Sequence, residues 1–325
     1  MNKNVSIYLA DDMHPKGVSL LQQNFNVIDL KGLPNNILLN KIKSIAKNNA
    51  FKNSALLIRS VRTLDKSFLK SLSLNTDVKL ICTISAGFDN IDLDHCKKYK
   101  LDVMNVAGAN STSAAEFTFA LILAITKNII RADKDMKNNI FDYSKFSNAE
   151  LYGKTIGIIG VGKIGSKVAK LAKAFGMAVL GNDINPEVRK RYSSIRFVSL
   201  DKILSSSDIV TIHTPLNKTT YKFINEKKLK LLNAKSILIN CSRGGTVDEK
   251  ALIKLLSKNK LHYAAVDVFE DEPSFNKKFV KLKNVILTPH LAGKTVESKE
   301  RMGIAAAENV IKYYKKSKSK HKLIN

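Results

Sequence analysis

The chain has no tryptophan, only three cysteines and six prolines, and eight arginines against 46 lysines. Cys82, Cys96 and Cys241 are odd in number and far apart. That excludes a disulfide framework, and no C-x-x-C pair offers metal-ligand spacing, so no metal centre is expected. Long apolar runs are also missing. The longest, Phe117–Ile125, is nine residues broken by Thr118, too short to cross a bilayer. Met1–Asp12 lacks the apolar core of a secretory signal. A reducing cytoplasm and no membrane attachment are therefore expected. With 44% hydrophobic and 25% charged residues, a disordered or collagen-like chain is excluded. A length of 325 residues suggests two domains.

Acidic residues are scarce as well. Lys+Arg 54 against Asp+Glu 28 gives a net charge of +26. The excess is spread: residues 1–103 carry 15 basic and 9 acidic groups, 104–292 carry 30 and 16, and 293–325 carry 9 and 3. It concentrates only at the end, where Lys315–Asn325 reads as a frayed, solvated tail. No helix combines basic and aromatic residues in a recognition pattern, so no specific nucleic-acid partner is expected.

Apolar strand-like runs alternate with amphipathic helical runs, which implies βα units, parallel sheets and an α/β fold. In the first third these runs include Val5–Leu9, a helix from Pro15, Ala55–Ile58, Phe68–Ser73 and Lys79–Thr83. Residues Ser113–Met136 read as one long, buried helix capped by Ser111, Thr112 or Ser113, with Glu116 placed for a capping box. The Asn-rich stretch Lys137–Glu150 reads as a loop. After it the rhythm is regular: Thr155–Ile159, helix Ile164–Phe175, Ala178–Asn182, Ile209–Ile212, Ser236–Asn240, helix Glu249–Lys258, Tyr263–Val268 and Val285–Leu287.

Gly160-Val161-Gly162-Lys163-Ile164-Gly165 fits G-x-G-x-x-G between a strand and a helix, the context that a dinucleotide site requires. Gly160 permits the tight turn, Gly162 lets backbone approach a pyrophosphate, and Gly165 lets helix and strand pack closely. Asp183, at the end of the next strand, suits the adenosine ribose hydroxyls and repels a 2′-phosphate, so NAD is favoured over NADP. Arg189 and Arg191 lie nearby and are read as solvated on the following helix.

Three further strand ends carry chemistry. Asn240-Cys241-Ser242-Arg243-Gly244-Gly245 presents a guanidinium fork suited to a carboxylate. Asp267-Val268-Phe269-Glu270-Asp271-Glu272-Pro273 is acidic in a basic chain, and Thr288-Pro289-His290 offers a proton carrier. Each has a bland reading as a surface Arg, a solvated loop or a structural His. Together they supply an anion clamp, a carboxylate and an imidazole beside a nicotinamide site, as hydride transfer at a 2-hydroxy acid requires.

The chain resembles the D-isomer-specific 2-hydroxyacid dehydrogenase family over nearly its whole length. The matching motifs are Ser85-Ala86-Gly87-Phe88-Asp89-Asn90-Ile91-Asp92, Asn110-Ser111-Thr112-Ser113-Ala114-Ala115-Glu116, the Gly160 turn, His213-Thr214-Pro215-Leu216, Ser242-Arg243-Gly244-Gly245, Glu272-Pro273 and Pro289-His290. The resemblance implies that Arg243 holds the substrate carboxylate and polarises the 2-oxo group. It makes His290 the general acid/base and Glu272 its hydrogen-bonded partner. Thr214, Pro215, Cys241 and Ser242 line the cofactor cleft, Asp267 lies by the nicotinamide, and amides near Ala86 and Gly87 help bind the carboxylate. It also implies two Rossmann-like, doubly wound domains with the active site between them. The substrate domain is split between 1–103 and 293–325, and the NAD-binding domain is 104–292. A homodimer through the cofactor domain is implied too, using the long helix.

Within the family the chain most resembles the 3-phosphoglycerate dehydrogenases, through Ser113–Glu116 and Leu151-Tyr152-Gly153-Lys154-Thr155. Arg59 and Ser60 match a pattern that there reaches the substrate phosphate, and Asn110 assists. Serine biosynthesis is the role this implies. Many such enzymes carry an Arg at the position of Thr83, which this chain lacks. Either Arg62 substitutes for it or the substrate has no phosphate. Glyoxylate or hydroxypyruvate reduction is the alternative. Feedback control by serine through a regulatory domain like that of the longer phosphoglycerate enzymes is not expected. Some relatives are NAD-sensing co-repressors, but nothing in this sequence suggests their peptide-binding cleft.

Overall fold

The computed structural model describes residues 5–48, 53–315 and 324. Contacts divide the chain into two compact units, 1–110 with 295–325, and 111–294. The first crossing falls at 110/111 rather than 103/104. One reason is that the strand at Asp102–Asn105 pairs into the first unit's sheet.

The first unit holds β1 (Ser6–Leu9), α1 (Pro15–Gln22), β2 (Asn26–Asp29), α2 (Asn35–Asn48), β3 (Ser54–Ile58), α3 (Lys66–Asn75), β4 (Val78–Thr83), α4 (Leu93–Lys98) and β5 (Asp102–Asn105). Its parallel sheet runs β2-β1-β3-β4-β5. Central strands are apolar on both faces because helices cover both. Ile7 and Leu9 of β1, with Leu57 of β3, pack on one side; Tyr8, Leu56 and Ile58 pack on the other. A terminal helix, Val296–Tyr314, also belongs to this unit. Thr295 caps its N-terminus, and Met302, Ala306, Ala307 and Val310 bury one face. The Lys-rich tail lies outside the described residues except Lys315 and Ile324. Ile324 is not frayed: its N–H donates to Val103 O at 2.9 Å and its side chain packs on the core.

The second unit holds α5 (Ser111–Thr126), α6 (Ile129–Lys137), β6 (Thr155–Ile159), α7 (Gly165–Ala174), β7 (Ala178–Asn182), α8 (Pro186–Arg191), β8 (Arg196–Phe197), α9 (Leu200–Ser206), β9 (Ile209–Ile212), α10 (Glu226–Leu229), β10 (Ile237–Asn240), α11 (Glu249–Ser257), β11 (Tyr263–Val266) and β12 (Val285–Leu287). The terminal helix is accordingly α12. The sheet order is β12-β11-β10-β9-β6-β7-β8, all parallel. The chain reverses its winding between β6 and β9. Loops at the carboxyl ends beside such a switch point form the natural ligand crevice of this sheet type.

The single helix expected over Ser113–Met136 is two helices bent by 60°. Asn128 breaks it with a left-handed backbone, φ 53°, which Asn tolerates better than most residues. Its side chain ties the bend to Ser147 O and Asn148 Oδ1. The helix starts at Ser111, so none of Ser111, Thr112 and Ser113 is its cap; the Ser113 hydroxyl donates to Ala292 O at 2.7 Å. Among the described residues no single helix is long and apolar enough to cross a membrane.

Candidate active site

The Gly160 turn leaves β6 and enters α7. Gly160 has φ +87°, and a Cβ there would lie 2.7 Å from His213 O. A Cβ on Gly165 would lie 2.1 Å from Gly160 O, so only glycine permits this helix–strand approach. A Cβ on Gly162 would meet nothing within 4 Å, which leaves open space above the turn. Lys163 is exposed beside it, while Ile164 packs against the core. No side chain caps the start of α7; Ser166 N and Lys167 N bond back to Gly162 O and Ile164 O, while the Gly165 amide donates to nothing among the described residues and remains a donor for an anion.

Asp183 follows β7. Its Oδ2 accepts from Val161 N at 2.8 Å and its Oδ1 from Asn185 N at 2.9 Å, which fixes the carboxylate against the turn. Arg189 and Arg191 are exposed on α8, as expected, but Arg189 is not simply solvated: its Nε donates to Asp183 O at 2.7 Å. At the end of β9, Thr214 Oγ1 is buried with no partner among the described residues. Pro215 is exposed, and its carbonyl accepts from Thr220 Oγ1. The open space at Gly162, the uncapped helix and the orphaned Thr214 hydroxyl fit a dinucleotide.

His213, beside Thr214, donates its backbone N–H to Ile159 O at 2.7 Å, and its ring pairs with Thr211 Oγ1. Burial pushes its imidazole down to about 3. The folded state therefore refuses a proton that the unfolded chain takes below about pH 6.5. Stability from this site should fall as pH drops from about 6.5 towards 3, by up to about 1.4 kcal/mol per unit. Chemical unfolding at several pH values should show that slope in the wild type and a shallower one in His213→Gln. Parallel slopes would contradict it.

After β10, Ser242 donates to Asn240 Oδ1 and Arg243 Nη1 donates to Ser242 O at 2.7 Å, which sets the half-buried guanidinium. Cys241 is buried, and burial beside Asp267 pushes its thiol well above the usual range, so it is no nucleophile.

Asp267 corrects an expectation. It is 0% exposed, and its carboxylate accepts from Thr288 Oγ1 at 2.6 Å, Leu291 N at 2.8 Å and Ala292 N at 2.9 Å. It presents no atom to a cofactor. Instead it shapes the turn that carries His290, whose N–H donates to Asp267 O at 2.8 Å. His290 has φ 55°, a left-handed backbone held by this turn. Its Nδ1–H donates to Glu272 Oε2 at 2.7 Å, while Glu272 Oε1 accepts from Phe269 N at 2.9 Å. Burial pushes the Glu272 carboxyl up, but His290, the Phe269 amide and Arg243 outweigh this and hold it below the usual range. His290 Nε2 makes no hydrogen bond among the described residues, so it is available to carry a proton to a ligand.

In the first unit, Arg59 and Ser60 follow β3, and Ala86 and Gly87 lie beyond β4, its neighbour. Arg59 N donates to Asp11 Oδ2, and its guanidinium has no partner among the described residues. Ser60 N donates to Ser85 Oγ at 3.1 Å. The Ala86 and Gly87 amides donate to nothing among the described residues. Asn110 Oδ1 is buried and has no partner among the described residues. Arg62 is not a substitute for the missing arginine. Only 9% of its side chain is exposed, and it binds Asp11, Leu33 O, Asn35 Oδ1 and Ala10 O. Thr83 is fully buried.

A sequence profile of the D-isomer specific 2-hydroxyacid dehydrogenase NAD-binding domain matches residues 119–292. The chain belongs to this family. It is 33% identical over 95% of its length to a glyoxylate reductase of Thermococcus litoralis, of which it covers 93%. It is 34% identical over 95% of its length to a D-3-phosphoglycerate dehydrogenase of Methanocaldococcus jannaschii, spanning 57% of that protein. It is also similar to the solved D-lactate dehydrogenase of Aquifex aeolicus complexed with NAD and lactic acid, with 30% identity, 96% of each chain covered and a TM-score of 0.78. The chain is an NAD-dependent oxidoreductase of D-2-hydroxy acids.

Proposed function

We propose that the chain reduces a short 2-oxo acid to its D-2-hydroxy acid through Arg243, His290 and Glu272. The observation that carries this is the His290–Glu272 pair at 2.7 Å with Nε2 left open, beyond the carboxyl ends of the same parallel strands as the dinucleotide turn. Bound NADH supplies the hydride. As negative charge grows on the 2-oxo oxygen, the Arg243 guanidinium and the His290 Nε2–H stabilise it. His290 then delivers its proton to that oxygen, and Glu272 holds the ring while its charge changes. In oxidation the neutral ring takes the hydroxyl proton. The open Ala86 and Gly87 amides are assigned to the substrate carboxylate, with Asn110 as an auxiliary contact.

Glyoxylate or hydroxypyruvate is the favoured substrate. The position where an arginine would reach a phosphate holds buried Thr83, and Arg62, considered as its substitute, is bound to Asp11. Arg59 favours a second reading, 3-phosphohydroxypyruvate and a place in serine biosynthesis, because its guanidinium has no partner among the described residues; Ser60 lies beside it. NADH oxidation with glyoxylate, hydroxypyruvate, 3-phosphohydroxypyruvate and pyruvate, compared by kcat/KM, separates them. The unphosphorylated acids should lead. A lead for the phosphorylated acid that falls at least about tenfold in Arg59→Leu would reverse the order.

We assign a homodimer to the second unit. Ile129, Ile130 and Met136 of α6 and the adjoining Ile140, Phe141 and Tyr143 are exposed, and so apolar a patch suits a second copy. Light scattering should give twice the chain mass, and a Phe141→Asp, Ile130→Asp variant should be a monomer. A wild-type monomer would contradict it.

A further inference from the structure

We infer that Glu249 is a positioning residue for the acid–base pair, acting through the backbone of the loop that carries Glu272. This rests on His290 and Glu272 being the catalytic pair.

Glu249 opens α11, next to the cap Asp248, and is 7% exposed in a chain whose other first-turn acids face water. A carboxylate is buried only where it is bonded. Its Oε1 accepts from Glu270 N at 2.7 Å. The neighbouring amide, Phe269 N, donates to Glu272 Oε1. Two successive amides of one loop are therefore held by two carboxylates, one fixed on α11 and one bonded to His290.

The anchor is firm because the Arg243 turn and this loop touch. A Cβ on Gly244 would lie 2.0 Å from the Phe269 carbonyl carbon. On its other side the Arg243 turn is clamped by Lys222 N donating to Gly245 O at 2.7 Å and Ile224 N donating to Thr246 O at 3.2 Å. The Glu270 side chain is held separately, by Lys222 Nζ at 2.6 Å and Tyr221 OH at 3.0 Å. The charged groups facing Glu249 are Glu270 and Asp271 of the loop and Lys222 of the clamp. Burial, with Glu270 and Asp271 adding to it, raises the Glu249 carboxyl despite the Glu270 amide and Lys222. Glu249 therefore ties the Arg243 turn and the Glu272 loop into one frame. Without it the Glu270 amide is left unpaired and the loop is free to shift. Displacement of a reacting group by about 1 Å can cost on the order of 100-fold in rate.

The test uses the full chain with NADH and its best 2-oxo acid, in Glu249→Ala, Glu249→Gln and His290→Ala variants. Three quantities are read: NADH binding, the pH profile of kcat, and the downfield proton resonance of the His290–Glu272 hydrogen bond. Glu249→Ala should bind NADH normally, lose about 10- to 100-fold in kcat, move the acid limb of its profile and lose the resonance. Glu249→Gln keeps an acceptor for the Glu270 amide and should recover most of each. A folded Glu249→Ala with the wild-type profile and resonance overturns the inference. If that variant does not fold, Glu249→Asp, which withdraws the oxygen by one methylene, reads the same quantities. A wild-type result there also overturns it. Normal turnover by His290→Ala would instead overturn the catalytic reading, while the resonance still reports whether Glu249 orders the pair.

Discussion

His290→Ala should lower kcat for 2-oxo acid reduction by about 10³-fold or more, with NADH binding unchanged. The loss is large because the ring has two tasks. In the proposed mechanism it supplies the proton, and its Nε2–H stabilises the developing oxyanion. Binding survives because the ring lies on the Thr288–Ala292 turn, while the dinucleotide features are the Gly160 turn and Asp183. Glu272→Gln should fall less, by about 10- to 100-fold, because the amide keeps a hydrogen bond but not the charge. The Glu272 carboxyl is held below the usual range, so it stays ionised as pH falls until its lowered folded value is reached. The acid loss of activity from this group should begin there and not at the ordinary glutamate value. Steady-state kcat with NADH fluorescence titration checks both variants. A His290→Ala enzyme with near-normal kcat would remove the residue from the mechanism.

Arg243→Lys should lower kcat/KM by about 10²- to 10³-fold, close to the loss in Arg243→Ala. A lysine keeps the charge, but its ammonium lacks the planar fork that grips a carboxylate and reaches the 2-oxo oxygen together. The Arg243 guanidinium is set by its bond to Ser242 O and lies near enough to lower Glu272, so the site depends on where the charge sits. A loss shared by kcat and KM is expected, because ground state and transition state both use the group. A Lys variant within about threefold of wild type would show that charge alone suffices.

Central strands, the apolar edge strand β12 and the pairing of His290 with Glu272 could be read from the residues; the other edges and the remaining bonding states could not. The strands β6, β9 and β10 are dominated by Ile, Val and Leu because both faces of a parallel sheet are covered. Edge strands β2, β5 and β8 are short and partly exposed, so their composition resembles loops. Helix α12 was missed because its buried face is built largely from Ala, Gly and Ser. The bend at Asn128 turned on one left-handed residue inside an apolar pattern. At the site, the pairing of His290 with Glu272 followed the motifs. The burial of Asp267 and the engagement of Arg62 did not, because both depend on partners distant in sequence. Glu249 escaped for the same reason: a first-turn glutamate is ordinary until its acceptor role is seen.

The most direct test is reduction of the best 2-oxo acid with NADH deuterated at the nicotinamide C4. The account requires deuterium at C2 of the product, product in the D configuration, and no transfer in His290→Ala beyond about one thousandth of the wild-type rate. An L product, deuterium lost to water, or undiminished transfer without His290 would contradict it.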